Sequence, residues 1–228
     1  MHLAFDPFLP SGDRKRLMTN WAHTSDGPTG EIHVEIADGI HIDTDGDSLI
    51  DLYGEKNWGH SVNAAKRDRG SDETAKTDFT GDIFTALVAG RHLISTAGGE
   101  LSDDQMAELK GYRDTVVWGW EMAFAATAVH YINDTLGDMA KFGTADYSFA
   151  DHAKHWGELK GFALGFQFSP HSPLTDADFA SFHAKVGDAP VLEDAGAEAI
   201  AAYETALQEA AAILGAAYGF ADVNVANW

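Results

Sequence analysis

The stretch LSDDQMAELKGYRDTVVWGWEMAFAATAVHYINDTLGDM, residues 101–139, constrains the fold most. It reads as one long helix. Ser102 followed by Gln105 forms a capping-box start, in which each side chain satisfies an orphan backbone N–H of the first turn. At about 1.5 Å per residue, a helix of this length crosses a whole domain. Gly111 and Gly119 either weaken it or admit a close neighbour.

Other segments carry the same period. Residues 78–95 place Phe84, Leu87, Val88 and Ile94 near helical spacing, and Gly98-Gly99 stops the run. Ser148 with Asp151 opens a helix from about Phe149 to Phe168, closed by Ser169-Pro170 because the residue before a proline avoids the helical region. Residues 175–187 form a short capped helix. The Ala-rich run 193–220 carries an apolar stripe of Ile200, Tyr203, Leu207 and Leu214. These segments predict a mainly α protein, with a helical bundle over residues 52–228. The N-terminal segment 1–51 differs. There DRKRLMTNWA suggests a short helix after Ser11, and EIHVEI and IHID flank an Asp-Gly turn as a small β-hairpin.

At 228 residues and 45% hydrophobic content, the chain can bury one substantial core without staples. It has no cysteine, so disulfides and thiolate metal sites are excluded. The formal charge of −21 repels phosphate backbones, so no nucleic-acid partner is expected. The basic clusters at 13–16 and 66–69 are short and interleaved with Asp. An acidic surplus of this size serves solubility, and it also favours cations as partners. No run approaches the roughly 20 apolar residues of a transmembrane helix. The opening residues MHLAFDPFLPSGDRKR do not read as a signal peptide.

Two motifs invite ions. DTDGDSLID places Asp43, Asp45, Asp47 and Asp51 at alternating positions and then four further on, so their carboxylates can converge on one hard cation. Ca²⁺ takes six to eight oxygens and offsets the repulsion of clustered acids. The spacing resembles thrombospondin type 3 loops. It departs from an EF-hand, with Ser48 at the glycine position and Gly54 where the last Glu belongs. The alternative is a solvated Asp-rich turn with Asp51 starting a helix.

The second motif, DHAKHWGELKGF (151–162), puts His152, His155 and Glu158 three apart on a helix. Asp151 and His155 lie only about 40° apart on such a helix. They share a broad face but need ligands from other helices to close a metal site. Glu121, His130, Asn133 and Asp134 on the long helix are the outside candidates. Glu121 and His130 fall on opposite faces, about 180° apart. The plainer reading is a hydrogen-bonded polar seam, with Trp156 and Gly157 marking close packing. Phosphate-binding, dinucleotide-binding, nucleophile-elbow and H-E-x-x-H motifs are all missing from the sequence.

YGEKNWGHSVNAAKRD (53–68), WEMAFAATAVHYINDTL (120–136) and HWGELKGFALGFQFSPHSPL (155–174) together resemble a family of exported bacterial proteins of unknown function, often lipoproteins. The architecture is similar to the imelysin-like helical proteins of the bacterial envelope, which are linked to iron uptake and to haem or metal binding. Their signature, G-x-H-x-x-E, is matched at His155 and Glu158, with Ala153 in place of the glycine. The resemblance implies a periplasmic or cell-envelope location, with the export signal missing from this chain. It also implies a transition metal such as Fe or Zn at His155 and Glu158. The expected function is a non-catalytic, extracytoplasmic protein handling cations or iron, with structural Ca²⁺ at the acidic loop. The alternatives are a metal-dependent hydrolase, with Glu158 or Glu121 as base beside a metal-bound water, and a non-catalytic envelope scaffold.

Overall fold

The computed structural model describes residues 59–228. The expected N-terminal helix, the hairpin and the acidic loop of Asp43, Asp45, Asp47 and Asp51 lie outside the described residues. Among the described residues there are seven α-helices and no strand. They are α1 (Gly59–Gly70), α2 (Phe79–Thr96), α3 (Asp103–Met139), α4 (Phe149–Gly165), α5 (Asp176–Val186), α6 (Ala197–Tyr218) and α7 (Asp222–Asn227). The mainly α expectation therefore holds for this part of the chain. The chain divides into two compact units. One includes residues 77–123, and the other comprises residues 70–76 and 124–228. Helix α3 runs through the division at residues 123 and 124.

In the first unit, the turn between α1 and α2 is built on Asp68. Its Oδ1 accepts from the Phe79 amide at 2.8 Å and from the Thr77 hydroxyl at 2.9 Å, and its Oδ2 accepts from the Thr80 amide at 2.8 Å. Asp78 caps the same helix by accepting from the Gly81 amide at 3.0 Å. Together they satisfy three of the N–H groups that a helix start leaves without an intrahelical partner. Asp82, one turn on, is held above the usual carboxylate range by burial first, then by the charges of Asp78 and Asp68. The core of this unit includes Phe79, Ile83, Leu87, Leu109, Val116 and Trp120. Gly119 belongs to that packing, because a Cβ there would stand 2.4 Å from Ile83 Cγ1. Gly111, by contrast, faces open space. The capping box forms as read: Ser102 N donates to Gln105 Oε1 at 3.0 Å, and Gln105 N donates to Ser102 Oγ at 3.2 Å.

The second unit begins where α3 becomes dense in small side chains. Ala125, Ala126, Ala128, Val129 and Ile132 are fully buried, as are Leu159 and Ala163 of α4 and Leu207, Ala210 and Leu214 of α6. Small residues let helix backbones approach. A Cβ on Gly165 would lie 2.5 Å from Phe124 Cζ. The Phe124 ring packs against Phe162 at 4.7 Å and edge-on to Phe166 at 5.1 Å between ring centres.

Ser148 caps α4 through the Asp151 amide, and Thr175 caps α5 through the Asp178 amide. Helix α4 ends at Gly165 and passes into a 3₁₀ turn, Phe166–Phe168, so the expected helical span is realised in two forms. Helix α6 starts at Ala197, four residues later than the composition suggests, because Gly196 takes a left-handed φ of +90° that a helix cannot continue. Gly219, also left-handed, ends it.

Helix α7 has no counterpart in the sequence reading. It is anchored by Asn224, which accepts from the Asp72 amide at 2.7 Å and donates to the Ala75 carbonyl at 2.7 Å. Asn133 of α3 also holds this helix, donating to the Val225 and Trp228 carbonyls.

Candidate polar site between helices α3 and α4

The chemistry-bearing residues of the second unit gather where the end of α3 meets the start of α4. His130, Asp134 and Asp138 follow one another at intervals of four on α3. That spacing keeps them in one stripe, drifting only about 40° per step. His155 projects from α4 onto that stripe. The turn between the helices is tied by Lys141, Phe142 and Thr144, whose amides bond back to Asp138, Met139 and Lys141. Phe142 and Tyr147 pack edge-on at 4.9 Å, and both flank His152 of α4.

Asp138 is the fixed point. It is 3% exposed, and its two oxygens have different partners. Oδ2 lies 2.7 Å from His155 Nδ1 and Oδ1 lies 2.9 Å from Lys141 Nζ. Burial alone would favour its neutral form. The hydrogen bonds and charges of Lys141 and His155 outweigh burial and hold the carboxyl below the usual carboxylate range. Lys141 is correspondingly held above the usual lysine range, chiefly by its hydrogen bond to Asp138.

An ionised carboxylate only accepts, so His155 Nδ1 carries the proton and donates it. The other ring nitrogen is Nε2. It faces Asp134 Oδ2 at 3.8 Å, beyond hydrogen-bond length, while His130 Nε2 approaches the same oxygen at 3.2 Å. Tyr131 stacks on the His155 ring at 6.5 Å between centres. The cluster is accessible: the side chains of His130, Asp134 and His155 are 28%, 33% and 21% exposed.

Of the residues nominated from sequence, His155 is thus central, and His130 and Asp134 join it. Glu158 sits one turn further along α4. Its Oε2 is buried without a hydrogen bond, 4.0 Å from Lys154 Nζ. Asn133 is engaged with the C-terminal residues instead, and Glu121 is buried in the first unit. His152 is fully buried: Nε2 donates to the Val191 carbonyl at 3.0 Å, leaving Nδ1 without a partner among aromatic rings. Asp138 was not nominated, although its spacing from His130 and Asp134 places it on their stripe. Trp156 Nε1 donates to Tyr203 Oη, whereas Gly157, read as a mark of close packing, has nothing within 4 Å of an added Cβ.

Among the described residues, no group of three or more His, Asp and Glu side chains is placed so that it could hold a metal ion. The donor types nevertheless suit a borderline cation. Imidazole and carboxylate both bind Zn²⁺ and Fe²⁺, and a carboxylate on the far nitrogen of a ligating His is the usual outer support. No helix among the described residues is long and apolar enough to cross a membrane. No protein-family model, curated protein or solved structure matches this chain.

Proposed function

We propose that this protein is a non-catalytic helical cation-binding protein of the bacterial envelope, acting in iron or metal handling. A transition-metal site would lie on α4 at His155, with Glu158 one turn away. Structural Ca²⁺ would be held by Asp43, Asp45, Asp47 and Asp51. One observation carries the reading. Asp138 holds His155 by Nδ1, so that Nε2 is turned toward Asp134, and a carboxylate on the far nitrogen is the usual outer support of a metal-ligating histidine. The envelope location and the iron connection rest on the resemblance of residues 53–68, 120–136 and 155–174 to exported and imelysin-like proteins.

The test is elemental analysis of protein purified without chelator or metal-affinity resin, followed by titration of the chelator-treated protein with Zn²⁺ and Fe²⁺. Near-stoichiometric transition metal, lost in the double variant His155→Ala, Glu158→Ala, is the expected result. Unchanged metal content and affinity in that variant would remove the site. Thermal melts in EDTA and in excess Ca²⁺ test the acidic loop separately, since a ligand that binds only the folded state raises the melting temperature.

A further inference from the structure

We infer that the cleft between α3, α6 and α7, within the second unit, binds a small organic ligand that joins a primary ammonium group to an apolar ring. This goes beyond the cation-handling reading and uses none of its residues. The cleft has a volume of about 560 Å³, in the usual range of small-molecule sites, and such sites commonly open between the helices of a bundle. Helix α6 contributes Ala211, Ala212, Gly215, Ala216 and Gly219, which carry at most a methyl group. Leu136 of α3 and Val225 of α7 add apolar surface, and Phe220 adds an aromatic ring. Gly215 also seats α7 close to α6, since a Cβ there would stand 3.1 Å from Val225 Cγ2. The room for a ligand thus comes from side chains that α6 lacks, and most of the surface around it is apolar.

The polar side chains lining the cleft are Asn133, Gln208 and Asp222. Asn133 uses both amide N–H bonds inside the protein, donating from Nδ2 to the Val225 carbonyl at 2.9 Å and to the Trp228 carbonyl at 2.6 Å. What it has left for a ligand is Oδ1, an acceptor. The Asp222 carboxylate also only accepts, and Gln208 supplies a further amide oxygen. No lysine, arginine or histidine lines the cleft to answer the charge of Asp222. In a chain of formal charge −21, such a lining repels anions. A pure hydrocarbon would displace water from these groups without replacing its hydrogen bonds, which loses affinity. A primary ammonium carries three N–H donors, one for each acceptor, and the attached ring covers the methyl-lined face of α6. A metal ion would make no use of that apolar surface.

The experiment titrates the full chain with three indoles that share one ring system and differ in charge: tryptamine, 3-ethylindole and indole-3-propionate. Isothermal titration gives the affinities, and amide shifts in nitrogen-labelled protein locate the contact. The same titrations are made on D222N, which removes the charge at nearly constant shape, and on A212F, which adds a ring at an exposed position of α6 lining the cleft. Circular dichroism confirms that each variant is folded.

One tryptamine should bind per chain with a Kd of about 0.1–1 mM. The uncharged 3-ethylindole should bind at least about tenfold more weakly, having lost the charge-assisted hydrogen bonds. Indole-3-propionate should show no binding up to about 10 mM, because it sets one carboxylate against another. D222N should lower tryptamine affinity by about tenfold and leave 3-ethylindole within about twofold, a split that mere damage to the fold would not produce. A212F should bind none of the three. Equal affinity for tryptamine and indole-3-propionate, or unchanged tryptamine affinity in D222N, would overturn the ammonium assignment. Tryptamine bound as tightly by A212F, or not bound by the wild type, would overturn the site itself. These titrations need no metal, so this inference and the cation-handling reading can fail separately.

Discussion

His155 Nδ1 lies 2.7 Å from Asp138 Oδ2, joining the last turn of α3 to the second turn of α4 across 17 residues of chain. The bond is charge-assisted, and Asp138 is nearly sealed from water, so the contact is shielded from solvent on the carboxylate side. Lys141 takes the other oxygen and closes the turn onto the helix that precedes it. The same contact therefore fixes the angle of approach of α4 and the tautomer of His155.

A double-mutant cycle isolates that contact. Asp138→Ala should destabilise the protein by about 1–3 kcal/mol, because it removes the acceptor for two donors at once. His155→Ala should cost less, since that side chain is more exposed. The coupling between the two should be about 1–2 kcal/mol. Denaturant titrations of the four proteins give the value, and simple additivity would show that the bond adds nothing beyond its parts.

Much of this arrangement could be read from the sequence where the signal was local. Ser102 with Gln105, Ser148 with Asp151, and Thr175 are side chains that cap their own helix, so spacing alone identifies them. His155 was legible as a site residue for the same reason, and Glu158 was paired with it because both lie on one helix. The partner the fold supplies, Asp138, is local to a different helix. Its meeting with His155 depends on how Phe142, Tyr147 and His152 pack the intervening turn, which no spacing encodes. Helix α7 was not legible because six residues carry too little periodicity, and its anchors, Asp72 and Asn133, are far away in sequence. The delayed start of α6 depends on the backbone of Gly196, where composition favoured an earlier helix.

The glycines of the long helices divide by what surrounds them. Gly119→Ala and Gly165→Ala would push a methyl group into Ile83 and Phe124 at 2.4 and 2.5 Å, so each should destabilise by about 1–3 kcal/mol. Gly111→Ala and Gly161→Ala meet nothing within 4 Å and should stabilise by up to about 1 kcal/mol, through helix propensity alone. Thermal melts of the four variants should therefore move in opposite directions by pairs.

His152 ties α4 to the segment after α5. Its Nε2–H serves the Val191 carbonyl, while the ring fills a fully buried space beside Phe142 and Tyr147. His152→Phe keeps the aromatic packing and removes the donor, and should cost about 1–3 kcal/mol through the unsatisfied carbonyl. His152→Ala adds a cavity and should cost more, about 2–4 kcal/mol. Hydrogen exchange of residues 187–196 should accelerate in both, beyond any global loss of stability. Unchanged exchange there would mean that the segment is held by other contacts.

Tyr203 gives the chain a signature in alkali. Its hydroxyl accepts from Trp156 Nε1 at 2.8 Å and donates to the Val186 carbonyl at 2.8 Å, linking α6 to α4 and to the end of α5. Burial disfavours the phenolate more than the Trp156 hydrogen bond favours it, and the phenol is pushed from the ordinary 10.0 up to about 12. The folded protein therefore holds this proton where the unfolded chain has released it. The stabilisation from Tyr203 is fully present below pH 10 and is lost as pH rises from there toward about 12. Tyr112 and Tyr147 are also raised, so the assignment rests on a difference between wild type and Tyr203→Phe. That variant should be about 1–2 kcal/mol less stable at neutral pH, having lost both hydrogen bonds. Its stability should also fall less steeply above pH 10, while the late phenolate absorbance seen in the wild type disappears. Parallel alkaline slopes in the two proteins would show that Tyr203 ionises without regard to the fold.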